Sequence, residues 1–311
     1  MKILVLGPGA TGGYFGGRLA EVGLDVHFLV RPRRQAQLEG DGLRVESPLG
    51  NIHRAVATLT RDQLEGSFDL IILACKAWDL AAAIEAITPA MRGQARILPL
   101  LNGLAHLGTL DAAFGGEAVL GGLCQIAATL TPEGTIRHLN PFSALIFGPR
   151  QDSQRPLCEA LVAASAGVRF DLRLSPDIVQ EMWEKWVLIA TLAGATCLMR
   201  APIGAIVAQP DGTALIEAML AESQAIAASA GHEPRANVLA RFRGLLTEAG
   251  SPLAASMLRD VEAGNPVEVD HILGDLLGRA DAAGLKAPLL HAARCQLGIF
   301  EAQRRLSAGS R

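Results

Sequence analysis

The sequence predicts an α/β fold in two parts: an N-terminal Rossmann-type doubly wound sheet, then an all-α C-terminal domain. Three observations carry this. The chain opens on an apolar run that breaks into Gly7-x-Gly9-x-x-Gly12 and continues at helical spacing. Strand-like and helical patterns then alternate, as a doubly wound sheet requires. Past Ser175-Pro176-Asp177 the strand signals disappear and only helical patterns remain. The expected domains are 1–174 and 175–311.

Residues 3–6 read as a fully buried strand. Gly7 lets the chain turn tightly, Gly9 lets a diphosphate approach the backbone, and Gly12 lets the following helix pack close to the sheet. That helix runs through Leu19 and Val22 to a stop at Gly23, and its start offers free N–H groups and a positive dipole end to phosphates. Gly7, Pro8, Gly9, Ala10, Thr11 and Gly12 therefore form the candidate cofactor-binding turn. A second strand, 26–30, follows. NAD-specific folds usually close this strand with an acid that holds the ribose 2′-hydroxyl. Here the residue is Arg31, whose guanidinium can pair with a 2′-phosphate through two hydrogen bonds, so the expected cofactor is NADP(H). Arg33 and Arg34 read as a solvated loop. Two other readings of the turn stay open: plain turn glycines, or a looser turn for an adenosyl cofactor in a methyltransferase. Arg31 and the helical second half weigh against the methyltransferase.

A polar region with weak strands at 42–46 and 53–58 comes next. Residues 68–75 form a buried parallel-type strand ending at Lys76-Ala77-Trp78. A helix at 80–91 and a strand at 95–101 follow, the latter ending at Asn102-Gly103. Ligands of such sheets bind at the carboxyl ends of the strands, where Lys76 and Asn102 lie. From Val119 the pattern is more purely β, with two strands flanking a hairpin at Thr131-Pro132-Glu133-Gly134 and another strand at 144–147. A helix at 153–166 and a short strand at 168–170 finish this half. Ser175 reads as a cap with Pro176 at the first helical position. Helices are expected at 177–199, 211–230, 235–249, 251–263, 268–283 and 288–305.

A net charge of −3 leaves no electrostatic footprint for nucleic acid or an anionic membrane. The five cysteines (Cys75, Cys124, Cys158, Cys197, Cys295) are scattered and without a CxxC pair, so they read as buried thiols in a reducing compartment, and no metal site is expected. The longest uncharged run, 186–199, is too short to span a bilayer. The first residues read as a strand with a binding turn, not as a signal peptide. A soluble cytoplasmic protein is expected. Half the residues are hydrophobic but only 4% are aromatic, so Ala, Leu and Ile must do most of the packing. The helical half leaves room for a homodimer, though no heptad seam marks an interface.

Six motifs occur in order: the GxGxxG turn with Arg31 after the second strand; Cys75-Lys76-Ala77-Trp78; Leu101-Asn102-Gly103; Trp183-Glu184-Lys185; Ser256-Met257-Leu258-Arg259-Asp260; and Glu268-Val269-Asp270-His271. With these the chain resembles the ketopantoate reductase (2-dehydropantoate 2-reductase) family over nearly its whole length. The resemblance implies an NADPH-dependent reductase that turns a 2-keto acid into a 2-hydroxy acid, with the active site in a cleft between a Rossmann domain and a helical domain. By motif, Lys185 matches the family's catalytic lysine and Glu268 the carboxylate near cofactor and substrate. Ser256 matches a substrate-binding serine, and Lys76, Asn102 and Ala127 match cofactor contacts. Lys185 and Asn102 also count among the implied substrate contacts.

Hydride addition to a ketone puts negative charge on the carbonyl oxygen, which a lysine ammonium can stabilise and then protonate. Lys185 precedes the apolar run 186–193, and partial burial there would lower its pKa towards neutrality. Spacing alone favours a plainer reading, in which Glu181 and Lys185 are an exposed i,i+4 pair. By the same measure Glu268 is a first-turn helix acid and Ser256 an ordinary polar position. Trp183 and Trp186 read as packing residues. Where the family has asparagines four and eight residues after the lysine, this chain has Ile189 and Ala193, and a further family asparagine aligns with Ile203. The expected substrate is therefore more apolar than ketopantoate. The alternative is a non-catalytic NADP(H)-binding sensor or scaffold. The replaced asparagines point towards it; Lys185 together with Glu268 points away.

Overall fold

Short apolar runs bounded by turn glycines fold as buried parallel strands in the computed structural model, which describes residues 1–309. The strands are β1 (Lys2–Leu6), β2 (Asp25–Leu29), β3 (Leu43–Glu46), β4 (Ile52–Arg54), β5 (Ala57–Leu59), β6 (Leu70–Leu73), β7 (Arg96–Pro99), β8 (Gly121–Leu130), β9 (Ile136–Gly148) and β10 (Asp171–Leu174). One sheet has the order β5-β2-β1-β6-β7 with every pairing parallel. Ile3 in its central strand faces Val26 on one side and Leu70 on the other. Ile3, Leu4, Val5 and all of β6 are fully buried, which explains why these strands are continuous hydrophobic runs and not alternating ones. The other sheet runs β10-β9-β3-β4, with β8 antiparallel on β9.

Five helices belong to this half: α1 (Ala10–Glu21), α2 (Pro32–Asp41), α3 (Leu80–Ile87), α4 (Ala105–Phe114) and α5 (Arg155–Ala164). The second half holds α6 (Ile178–Met199), α7 (Ile203–Val207), α8 (Gly212–Ser229), α9 (Ala236–Leu246), α10 (Ser256–Glu262), α11 (Asp275–Ala282) and α12 (Pro288–Gly309). Two compact units result, Met1–Leu101 with His106–Val179, and Asn102–Ala105 with Gln180 onward. In the first, Tyr14, Phe15 and Leu19 of α1 join Phe28, Leu43 and Phe147 in one core. In the second, Trp186, Ile216, Met219, Leu276 and Leu290 are fully buried. Among the described residues no helix is long and apolar enough to cross a membrane, and no cluster of His, Cys, Asp or Glu could hold a metal ion.

Several expected elements are corrected. The loop assigned to Arg33 and Arg34 is the first turn of α2, opened by Pro32 at a position where its missing N–H costs nothing. Only Leu38 of this helix is buried, so no apolar stripe announced it. Arg34 is half-buried and not solvated: it donates to Gln37 Oε1 at 2.6 Å and to the Gly134 carbonyl at 3.2 Å, and burial lowers its pKa. The strand expected at 53–58 is two strands, β4 beside β3 and β5 beside β2, because the chain changes sheets between them. The helix expected at 80–91 ends at Ile87, where Pro89 turns it into a 3-10 stretch, Thr88–Arg92. Residues 144–147 are part of the 13-residue β9, and the strand expected at 168–170 lies at β10 instead. α6 begins at Ile178; Ser175 Oγ accepts from the Asp177 N–H at 3.1 Å, a local turn ahead of the helix. Residues 251–255 are not helical, and 268–283 is a π-helical turn, Asp270–Gly274, running into α11. α4 and α7 have no counterpart among the expected helices. Of the cysteines only Cys158 and Cys197 are buried, and burial pushes their thiols up to about 11 and about 12; Cys295 is exposed.

Candidate active site

The glycine turn joins β1 to α1. Gly7 has φ +86°, a left-handed conformation, and a side chain there would stand 2.9 Å from the Ala74 carbonyl oxygen. A side chain on Gly12 would collide with the Gly7 carbonyl and with Ala74 Cβ. Both glycines are thus fixed by the fold itself. Gly9 differs: a Cβ there would meet nothing within 4 Å, so the space beside its backbone is open. Gly9 is also the N-cap of α1, and no side chain caps this helix. The amides of Ala10, Thr11 and Gly12 occupy its first turn, where helices have N–H groups without intrahelical partners. Pro8 is buried behind the turn. This cradle fits a dinucleotide's phosphates.

Arg31 follows β2 with its side chain 88% exposed, and Lys76 follows β6, also exposed. Ala127 stands in β8 where the ladder to β9 slips between Ile126 and Ala128, so the β9 residues 139–142 bulge opposite it. The bulge is held by His138, whose Nε2 lies 3.1 Å from the Phe142 carbonyl.

In the second unit, α6 carries Lys185. Its Nζ donates to Asn102 Oδ1 at 2.8 Å, which brings together two predicted residues 83 positions apart. Both are half-buried. Glu268, half-buried as well, precedes the π-helical turn, and that turn touches the sequence neighbours of the other two. Trp186, next to Lys185, donates its indole N–H to the Ile272 carbonyl at 2.9 Å. Gly103, next to Asn102, approaches the turn so closely that a Cβ would lie 3.1 Å from the His271 carbonyl oxygen. Ser256 comes from another stretch of chain. It is the exposed first residue of α10, and the Ala255 N–H before it donates to Thr196 Oγ1 at 3.4 Å.

Three positions expected to shape the substrate differ in access. Ala193 and Ile203 are buried in the packing, whereas Ile189, one turn after Lys185, keeps exposed surface. Glu184 was not singled out from the sequence. It is 5% exposed and accepts hydrogen bonds from Arg235, from the backbone N–H at 3.0 Å and from Nε at 2.7 Å. Burial alone would raise its carboxyl, but the bonds and charge of Arg235 outweigh that and hold it below the usual carboxylate range. The pair fixes the start of α6 beside Lys185. A partner 51 residues away leaves no local pattern in the sequence.

A profile described as Ketopantoate reductase PanE/ApbA matches residues 3–152, and one described as Ketopantoate reductase PanE/ApbA C terminal matches residues 177–294. The Uncharacterized oxidoreductase YkpB of Bacillus subtilis (strain 168) is 35% identical over 304 residues, 98% of this chain and 100% of that one. The crystal structure of 2-dehydropantoate 2-reductase from Methylococcus capsulatus matches with a TM-score of 0.86 at 25% identity, covering 98% of both chains. The ternary structure of D-mandelate dehydrogenase with NADH and anilino(oxo)acetate matches with a TM-score of 0.87, covering 98% of this chain and 100% of that one. At 19% identity, this is a likeness of fold alone.

Proposed function

The chain belongs to the ketopantoate reductase family, and from that premise we propose that it uses NADPH to reduce a 2-keto acid more apolar than ketopantoate. Family membership makes it an oxidoreductase of the kind that reduces keto acids with a nicotinamide cofactor. The single observation that carries the mechanistic reading is the bond from Lys185 Nζ to Asn102 Oδ1.

In this reading the glycine turn and the first amides of α1 hold the diphosphate, with Arg31 on the 2′-phosphate and Lys76, Asn102, Ala127 and Glu268 as further cofactor contacts. The bound nicotinamide supplies the hydride. Lys185 supplies the rest of the chemistry: its ammonium stabilises the negative charge arising on the carbonyl oxygen and then transfers a proton from Nζ to that oxygen. Asn102 orients Nζ. An amide oxygen can accept a hydrogen bond from the ammonium but cannot take up its charge, so the proton stays available for the substrate. Glu268, next to the π-helical turn, adds a carboxylate whose negative charge favours the ammonium form, so that the amine left after proton transfer is reprotonated from water. Ser256 serves as a substrate contact at the far end of the Lys185 face. Ile189 presents hydrocarbon one turn from Nζ, where a hydroxylated substrate would lose hydrogen bonds it makes in water.

The test is NADPH oxidation with a panel of 2-keto acids. Unhydroxylated branched or aromatic keto acids are expected to exceed ketopantoate in kcat/KM by at least about tenfold. A clear preference for ketopantoate would overturn the substrate reading. NADPH binding without oxidation by any keto acid would favour the sensor or scaffold.

A further inference from the structure

We propose that Asp79 sets how strongly this chain prefers NADPH over NADH, by supplying from another strand the carboxylate that NAD-binding folds place at the end of the second strand. This rests on the reading of Arg31 as the residue that meets the 2′-phosphate. Arg31 stands two residues past the end of β2, where an acid would hold the ribose 2′-hydroxyl. Asp79 lies in the turn after β6, and β1 separates these two strands in the sheet. Its Oδ1 nevertheless reaches to 3.8 Å from Arg31 Nη2.

The local structure shows that Asp79 is not engaged in the ordinary work of such a residue. Aspartate ahead of a helix usually caps it. Asp79 immediately precedes α3, yet its side chain makes no capping hydrogen bond. Its backbone N–H donates to the Lys76 carbonyl at 3.0 Å, closing the 3-10 turn Ala77–Asp79, and its carboxylate turns to the guanidinium. Side-chain exposures of 88% for Arg31 and 45% for Asp79 make this a solvated pair, which adds little to stability. Both groups are accessible to a ligand.

The two charges act in opposite directions on the two cofactors. The Arg31 guanidinium attracts a 2′-phosphate. A carboxylate beside it repels the phosphate dianion and can accept a hydrogen bond from a 2′-hydroxyl. Lys76 adds a second positive charge on the same turn, with its ammonium 5.5 Å from the centre of the exposed Trp78 ring. The balance still favours NADPH, but modestly, and NADH is accepted as well.

Binding of NADPH and of NADH can be followed by nucleotide fluorescence in the wild type, Asp79→Asn, Asp79→Glu and Arg31→Ala. The wild type is expected to bind the two cofactors within about tenfold of each other. Asp79→Asn is expected to tighten NADPH and weaken NADH, raising the preference by about tenfold, while Asp79→Glu keeps it near the wild-type value. An unchanged preference in Asp79→Asn, or a wild-type preference above about a hundredfold, would overturn the inference. Arg31→Ala separates this from failure of the underlying reading. Loss of NADPH affinity there with no effect of Asp79→Asn faults Asp79 alone; unchanged NADPH affinity there faults the role given to Arg31.

Discussion

The glycine turn of the first unit and the lysine site of the second are built by opposite means. The turn is made of backbone, its residues adjacent in sequence, and its shape follows from two glycines that nothing larger can replace. The lysine site is made of side chains from distant parts of the chain, joined by one hydrogen bond and by a π-helical turn that touches both neighbours. A backbone site depends on what is absent at a few positions. A side-chain site depends on the packing that holds each group in place.

That contrast breaks most visibly at Gly12. Gly12→Val forces a side chain into the Gly7 carbonyl, so cofactor binding is expected to weaken by at least about a hundredfold together with a loss of thermal stability. Gly9→Ala has open space around it and is expected to keep the wild-type Tm within a few degrees, while still impeding the nucleotide. Calorimetry beside nucleotide titration separates the two. If both variants behaved alike, the division of labour within the turn would be wrong.

Next in size is the support beneath Lys185. Arg235→Ala leaves Glu184 buried without its main partner, and urea unfolding should show a loss of about 2–4 kcal/mol. The effect has a sign in pH. In the wild type the Glu184 carboxyl lies below its ordinary value of 4.5, so its contribution is complete above that value and is lost as pH falls through the lowered one. In Arg235→Ala the side-chain bonds and charge are lost while the backbone N–H and Gln180 remain, so the carboxyl rises from its wild-type position and the deficit should shrink on acidification below 4.5. A deficit independent of pH would show that Arg235 contributes packing alone.

The smallest change sharpens the substrate reading. Ile189→Asn restores an amide at the one replaced position with exposed surface, and should shift relative kcat/KM towards ketopantoate by about tenfold. The same substitution at Ile203 would bury an amide, so it should destabilise before it alters specificity.

The two sites also differ in how far the sequence revealed them. GxGxxG flanked by strands places the turn because its physics is local, and β1, α1, β2 and β6 follow from the same apolar runs. α2 was hidden because one buried leucine makes no stripe, and β4 and β5 because the chain changes sheets within six residues. The lysine site left no local signature. Glu181 and Lys185 look like any exposed helix pair, and only the resemblance singled out Lys185 and Glu268. Asn102 could be placed at a strand end, but its bond to Lys185 depends on chain folding across 83 residues. Glu184 stands in a motif that gives it no role, because its partner, Arg235, comes from a separate stretch of chain.

The most direct measurement compares turnover and NADPH binding in Lys185→Ala. Loss of the proton donor should lower kcat by roughly 10²–10⁴ while NADPH affinity stays within about twofold of the wild type. Turnover at the wild-type rate in a folded Lys185→Ala protein would contradict the account.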